Sequence, residues 1–577
     1  MSDSIEYRAA NDSVRKHFFR EVWKLTAPYW RSEEKGRAWL LLVSIVALSL
    51  VGVGVSVWLN SWYRDFYDSL QNKDLHGFIR LVLYFCGIAA VAILIAVYRL
   101  YLTQMLTIRW RRWLTERHFA AWLANKQYYR LEQGGYTDNP DQRLTEDLDT
   151  FTDSTLTLGL GFIRNLVSLV SFSVILWGVS GSLDLFGVHI PGSMFWAALL
   201  YALVGSWLTH LIARRLIGLN NQQQRYEADL RFGLVRVREH AESIALSNGE
   251  ANENQRLLTR FERVWSNYWQ VMKVQKHLTF FSSGYAQIAI IFPLVVAAPR
   301  YFAGQIQLGG LMQINSAFGN VQDGLSWFID AYASLASWRA TCDRLLSFRK
   351  ALEQGVQEGE AIEVGHAGEN LRVSALTLCQ ADGQVLLDQA SLNVEPGEHV
   401  LIGGASGSGK STLLRALAGL WRLGAGRIEM PAARTLFLPQ KPYLPLGSLA
   451  EVLSYPEGPE RYSAERMGEV LRLCRLPALE NRLDEARHWQ RELSPGEQQR
   501  LAIARALLYA PSWLFLDEAT SAVGEDDEAL LYAHLLEQLP EVTLVSVGHR
   551  APLRRFHTRC LRLEHRHLRE QRELMPE

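Results

Sequence analysis

Apolar and polar positions divide the 577-residue chain into two unlike halves. Before about residue 345 the apolar positions form long runs. A helix crossing the hydrocarbon core of a bilayer takes about 20 such residues. Five runs meet that length, near 38–58, 78–101, 154–180, 192–214 and 279–302. A sixth, near 309–338, is interrupted by Gln313, Asn315, Asn320, Gln322, Asp323 and Asp330. Polar groups at that density are costly against lipid, so this helix is expected to face protein or a watery cavity; with Gln287 of span five, Gln313, Asn315, Asn320, Gln322 and Asp323 are candidate cavity groups. Residues 104–132 and 216–275, between spans two and three and spans four and five, keep helical periodicity with alternating charges. The membrane helices are therefore predicted to continue as stalks, with tips near 139–147 and 236–249. After about residue 365, short strand-like runs alternate with helical patterns, as in an α/β domain.

Four segments follow: an N-terminal segment 1–37, a six-helix membrane domain 38–345, an acidic, Gly-rich linker 346–370, and a second domain 371–577. Aromatic and basic residues mix in HFFREVWKLTAPYW at 17–30, a pattern for a short helix in the membrane interface. The first apolar run follows about 37 polar residues and reads as an anchor rather than a cleaved signal.

Charge sets the orientation. Arg8, Arg15, Lys16, Arg20, Lys24, Arg31, Lys35 and Arg37 precede the first span, and Arg109, Arg111, Arg112, Arg117, Lys126, Arg130 and Arg143 follow the second. The connections 181–191 and 303–308 have no Lys or Arg, so both termini and the stalks belong on the cytoplasmic side. The overall balance of 60 basic and 60 acidic residues argues against nucleic-acid binding. The five cysteines (Cys86, Cys342, Cys379, Cys474, Cys560) contain no CxxC pair, and neither a zinc site nor a disulfide framework is indicated.

The chemistry lies in the second domain. Gly404-Ala405-Ser406-Gly407-Ser408-Gly409-Lys410-Ser411-Thr412 fits G-x-x-x-x-G-K-[ST] between a strand and a helix. Glycines let backbone N–H groups approach phosphates, and the helix N-terminus adds positive potential. Gly404, Ser406, Gly407, Gly409, Lys410, Ser411 and Thr412 are thus candidates for holding ATP, with Lys410 on the β- and γ-phosphates and Ser411 on Mg²⁺. About 105 residues on, Trp513-Leu514-Phe515-Leu516-Asp517-Glu518 is an apolar strand ending in two carboxylates. Asp517 is placed for Mg²⁺ and Glu518 for polarising the attacking water as general base. Between them, Leu493-Ser494-Pro495-Gly496-Glu497-Gln498-Gln499-Arg500 opens another helix, whose N-terminus suits a phosphate on a partner molecule.

The order of phosphate loop, Gln440, LSPGEQQR, LFLDEATSA and His549 resembles an ABC transporter nucleotide-binding domain. That resemblance implies that Gln440 is the Q-loop glutamine near Mg²⁺, that Ser494, Gly496 and Glu497 form the signature closing over the partner's ATP, and that His549 is the switch histidine at the γ-phosphate. Three positions depart from the pattern. Pro495 stands where glycine is commoner, Gly524 ends the D-loop Ser521-Ala522-Val523-Gly524 in place of aspartate, and Gln380 stands near the adenine-stacking aromatic.

The membrane half is similar to the SbmA/BacA-type uptake permeases and the peroxisomal and lysosomal ALD-type half-transporters. The likeness is carried by Asp138-Asn139-Pro140-Asp141-Gln142-Arg143 with Glu146-Asp147, by Arg225-Tyr226-Glu227-Ala228-Asp229-Leu230-Arg231, and by Gly304-Gln305-Ile306-Gln307-Leu308-Gly309-Gly310. It implies an exporter-type six-span membrane fold joined to a P-loop ATPase, working as a homodimer in a bacterial inner membrane. Relatives carry peptides, cobalamin or acyl-CoA. Three readings stay open: uptake of hydrophilic cargo, export of lipids or drugs, and an ATPase that regulates without transporting.

Overall fold

The computed structural model describes residues 18–134, 139–185, 188–354, 362–380 and 382–571. Arg8, Arg15, Lys16, Asp138, the side chain of Asp330 and linker residues 355–361 lie outside the described residues. The chain forms two compact units, Met1–Ala124 with Tyr136–Leu352, and Asn125–Gly135 with Glu353–Glu577.

The first unit is helical. Its long helices are Lys35–Gln71, Leu75–Leu123, Leu148–Ser180, Ser193–Glu239, Glu250–Phe302 and Leu308–Gln354. The first five contain segments long and apolar enough to span a membrane. At 1.5 Å per residue, the 53-residue helix Glu250–Phe302 is about 80 Å long, far beyond the roughly 30 Å of a hydrocarbon core. The excess is the stalk expected from its periodicity. The interfacial segment is a helix, Phe18–Thr26, and its faces differ. Phe18, Val22 and Leu25 are buried beside Trp110 and Leu345, while Phe19 is 81% and Trp23 62% exposed.

Polar contacts fix the sixth helix against the first. The backbone N–H groups of Leu308 and Gly309 donate to Gln71 Oε1 (2.7 Å) and Asp68 Oδ1 (2.8 Å), satisfying two of its unpaired N-terminal donors. One turn on, Asn60 Nδ2 donates to the Gln313 carbonyl (3.1 Å) and Gln313 Nε2 to Asn60 Oδ1 (3.3 Å). Gln313 is 6% exposed, so this candidate cavity residue is instead a helix-to-helix tie.

Two boundaries differ from expectation. The linker was placed at 346–370, but the helix runs to Gln354 because Leu345, Leu346, Phe348, Ala351 and Leu352 continue its buried face. The strand Ile362–His366 already belongs to the second unit's sheet, nine residues before the predicted start at 371. The first stalk tip is also displaced. The short helix Gln127–Gly134 groups with the second unit. The turn into it is made by Asn125 and Lys126, both left-handed at φ +50° and +59°. Residues 139–147 instead lead into the next helix through a π-turn, Arg143–Asp147. There the buried Asp147 carboxylate accepts from Arg143 Nη1 (2.6 Å) and from Arg344 Nη2 (2.6 Å), which clamps the third and sixth helices together. The second tip lies as expected, at the short helix Ala241–Leu246.

In the second unit a six-stranded sheet runs in the order His567–Glu570, Arg559–Glu564, His399–Gly404, Thr543–Val547, Trp513–Asp517, Thr435–Leu438, parallel except at its first pair. A four-stranded sheet, Ile362–His366, Gly424–Met430, Leu371–Cys379 and Val385–Val394, lies in the same unit. Alternation sends Trp513 and Phe515 into one core and Leu514 and Leu516 into the other. A strand covered on both faces must be apolar throughout, as this one is until its last residue.

Candidate functional site

The nucleotide-site candidates meet because four neighbouring parallel strands end at one level. Ile402 is paired with Val547, Val547 with Asp517, and Leu516 with Leu438. Immediately beyond these ends stand the glycine loop from Gly404, His549, Glu518 and Gln440. Ligands of open parallel sheets bind outside the carboxyl ends of the strands.

The loop leads from Gly404 into the helix Lys410–Leu417. Gly404, Gly407 and Gly409 have φ of +145°, +79° and +102°, conformations an L side chain rarely adopts. A Cβ on Gly404 would also meet the Leu563 carbonyl at 2.7 Å. Ser406 and Gly407 are exposed at the loop's crown, and Thr412 is half-buried in the first helical turn. Lys410, 6% exposed, folds back so that Nζ donates to the carbonyls of Gly404 (2.8 Å) and Ala405 (2.9 Å). Ser408 Oγ is buried with no hydrogen-bond partner among the described residues. A cradle with an ammonium, a buried hydroxyl and a helix N-terminus fits the phosphates of a nucleotide.

Ser411 Oγ donates to Asp517 Oδ1 at 2.9 Å. Burial pushes the Asp517 carboxyl up from its ordinary value, partly offset by the Ser411 hydrogen bond. A hydroxyl beside a desolvated carboxylate suits a hard divalent cation such as Mg²⁺. Glu518 is held left-handed at φ +47°, its N–H donating to the Val547 carbonyl (3.1 Å). Strained backbone of this kind collects at functional sites. Gln440 Nε2 donates to Glu518 Oε2 (3.2 Å), and His549 Nδ1 stands 4.0 Å from Glu518 Oε1. The structure thus gathers Gln440, Glu518 and His549 around one carboxylate, next to the loop.

Ser494, Gly496 and Glu497 do not join that cluster. Ser494 N-caps the helix Pro495–Tyr509 in a reciprocal box. Its N–H and hydroxyl donate to Glu497 Oε2 at 2.9 and 2.7 Å, and this holds the Glu497 carboxyl below its usual range. Pro495 occupies the first helical position, where its missing N–H costs nothing, so proline fits where glycine is commoner. A Cβ on Gly496 would meet the Ala522 carbonyl at 3.0 Å, so the signature turn packs on the D-loop. Gly524 is the N-cap of the helix Glu525–Gln538 and makes no side-chain cap. Gln380 is exposed in the turn after the strand Leu371–Cys379, and Trp421 donates to the neighbouring Cys379 carbonyl (3.0 Å) while packing into the core.

Four residues escaped the motif-based reading. Gln499 and Arg550 bind the D-loop backbone, as described below. In the first unit Arg99 and Arg164 stand half-buried inside spans two and three, within electrostatic reach of one another. No ion pair forms on either among the described residues. Arg99 near the end of run 78–101 and Arg164 inside run 154–180 were the available signal.

Residues 25–302 match the family model described as ABC transporter transmembrane region 2, and residues 387–521 match that described as ABC transporter. The chain is 35% identical to the chloroplastic ABC transporter D family member 2 of Arabidopsis thaliana, over 96% of this chain and 87% of that one. It is 36% identical to the inner membrane ABC transporter ATP-binding protein YddA of Escherichia coli, over 91% and 94%. It is 27% identical to the human lysosomal cobalamin transporter ABCD4, over 94% of both. A bacterial Atm1-family ABC exporter with ATP bound has the same fold, with a TM-score of 0.71 at 18% identity, covering 92% of this chain and 94% of that one. The expected exporter-type fold and P-loop ATPase domain are therefore both present. The chain belongs to the ABC transporter family, an ATP-driven translocase that carries its membrane region and its ATPase domain on one polypeptide, with D-family half-transporters among its relatives.

Proposed function

We propose that the chain is one half of a homodimer in the bacterial inner membrane that takes up hydrophilic compounds, peptides or cobalamin-like molecules, at the expense of ATP. The observation that carries the dimer is that Ser494 closes its hydrogen bonds on its own turn, with no bond to the phosphate-loop cluster of the same chain among the described residues. Two chains related by a two-fold axis would each lend Ser494, Gly496 and Glu497 to the ATP held by the other's Gly404–Thr412 loop. Lys410 then leaves its two carbonyls for the β- and γ-phosphates. Ser411, Asp517 and Gln440 are the residues for Mg²⁺, which neutralises phosphate charge when bound.

Glu518 accepts a proton from the attacking water as its oxygen bonds to the γ-phosphorus and the bond to the β-phosphate oxygen breaks, giving ADP and phosphate. Gln440 and His549 orient that carboxylate and the γ-phosphate. ATP favours the closed dimer and its products the open one, so turnover alternates the access of the membrane helices. Support for hydrophilic cargo comes from Asn315, Asn320 and Gln322, half-buried on the sixth helix, from exposed Asp323, and from the intramembrane pair Arg99 and Arg164. The cobalamin transporter among the relatives points the same way.

One observation favours export of lipids or drugs instead. A cavity of about 590 Å³ between the helices Ser193–Glu239 and Glu250–Phe302 is lined by Tyr201, Phe280, Phe281, Tyr285 and Phe292, and is almost wholly apolar. Proteoliposomes with the ATPase domains outward decide between the two. ATP-dependent loss of preloaded cobalamin or of a proline-rich peptide supports uptake. ATP-dependent accumulation of supplied lipid or drug supports export, and no movement of any compound overturns both.

A further inference from the structure

We propose that Gln499 and Arg550 are positioning residues that tie the D-loop to the backbone carrying Gln440 and His549 of the same chain, in place of a side chain at Gly524. Gln499 is 4% exposed and every polar hydrogen and acceptor of its amide is engaged. Its Nε2 donates to the Gln440 carbonyl (2.9 Å) and to Ser521 Oγ (3.2 Å), and its Oε1 accepts from the Ala522 N–H (2.7 Å). Arg550 directly follows His549. Its guanidinium donates to the carbonyls of Ser521 (2.6 Å) and Val523 (2.7 Å). Glu528, 1% exposed, holds that guanidinium at 3.4 Å and accepts from Thr520 Oγ1 at 2.5 Å.

Ser521, Ala522 and Val523 are therefore each held by a side chain that is bonded to Gln440 or adjacent in sequence to His549. The Ala522 carbonyl abuts Gly496, the turn offered to the partner's ATP. A shift of Gln440 or His549 on a γ-phosphate must then move the D-loop and, with it, the signature turn. No side chain at 524 takes part. The buried Gln499 amide with its polar groups paired, and the partly buried Arg550 fork on two carbonyls and Glu528, form a network rigid enough to transmit such a shift.

The device rests on the head-to-tail dimer proposed above, and its test separates the two. Gln499→Ala and Arg550→Lys are prepared in the full chain, reconstituted in lipid nanodiscs, and assayed for steady-state ATP hydrolysis. ATP affinity is measured by equilibrium binding in a Glu518→Gln background. Lysine keeps the charge but not the fork that reaches two carbonyls. Expected is a fall in kcat of roughly tenfold in each variant, with ATP affinity held within about threefold, and a Hill coefficient dropping from near 2 towards 1. If Gln499→Ala fails to fold, Arg550→Lys, which preserves size and charge, decides. Unchanged kcat and Hill coefficient, or ATP binding lost in step with kcat, overturns the assignment. A parent chain that is monomeric with a Hill coefficient of 1 overturns the dimer instead.

Discussion

Gly309→Ala tests how the sixth membrane helix is held. A methyl group there would lie 1.9 Å from the Arg64 carbonyl oxygen and 2.5 Å from Asp68 Oδ1. Ordinary contact needs about 3.5 Å, so the two helices must part by roughly 1.5 Å. That separation breaks the 2.8 Å bond from Gly309 N–H to Asp68 and the 2.7 Å bond from Leu308 N–H to Gln71. A hydrogen bond to a charged group contributes about 1.5–3 kcal/mol and a neutral one about 0.5–1.5 kcal/mol, so the loss is about 2–4 kcal/mol. Thermal unfolding of the membrane unit in detergent should fall by roughly 3–6 °C. Asp68→Asn weakens the same anchor without changing its size. In that background Gly309→Ala should cost less, by about 1–2 kcal/mol, because part of the interaction is already gone. A parent-like melting temperature for Gly309→Ala, or full additivity of the two changes, would mean that Asp68 and Gln71 do not anchor the sixth helix.

Three further outcomes are expected. His557 donates through Nδ1 to the Leu553 carbonyl and accepts at Nε2 from Ser546, and burial pushes it down to about 4. A depressed histidine contributes stability that is complete above the ordinary value of 6.5 and is lost as pH falls to about 4. Its share is about 3 kcal/mol, and His557→Gln should flatten the melting-temperature profile across that window. Phe515→Ala, fully buried and stacked on Phe437 at 4.3 Å, should cost the ATPase unit about 3–5 kcal/mol, read by thermal unfolding of that unit. Gln313→Leu removes the donor to the buried Asn60 Oδ1, while Asn60 Nδ2 keeps the backbone carbonyl of residue 313, and should cost about 1–3 kcal/mol; adding Asn60→Leu should recover most of it without altering the cargo moved in vesicles. Altered cargo would return Gln313 to the cavity.

Local chemistry was legible in the sequence; long-range pairing was not. The glycine loop and the strand ending in Asp517 and Glu518 could be read because each is a short segment whose residue types state its geometry. That Gln440 and His549 would meet Glu518 followed from the family likeness, and the sheet register supplies the physical reason. Asp147 with Arg344, and Asn60 with Gln313, lie 197 and 253 residues apart, and no periodicity predicts such partners. The sixth helix's polar residues suggested a cavity, yet one of them satisfies another helix, because composition alone does not say which direction a polar group faces. The displaced stalk tip has a similar origin. Asn125 and Lys126 turn the chain without glycine or proline, and only the asparagine hinted at a left-handed residue. The linker was overextended because its Gly-rich second half masked a buried apolar face in its first.

Glu518 acts as the base of an ATP site that two chains share in the proposed dimer. The most direct test is radiolabelled ATP retained and hydrolysed by purified Glu518→Gln. The account predicts a stable dimer holding two ATP molecules, with turnover lowered by about 10³-fold or more. Sustained hydrolysis near the parent rate, or ATP bound by a monomer with no dimer formed, would contradict it.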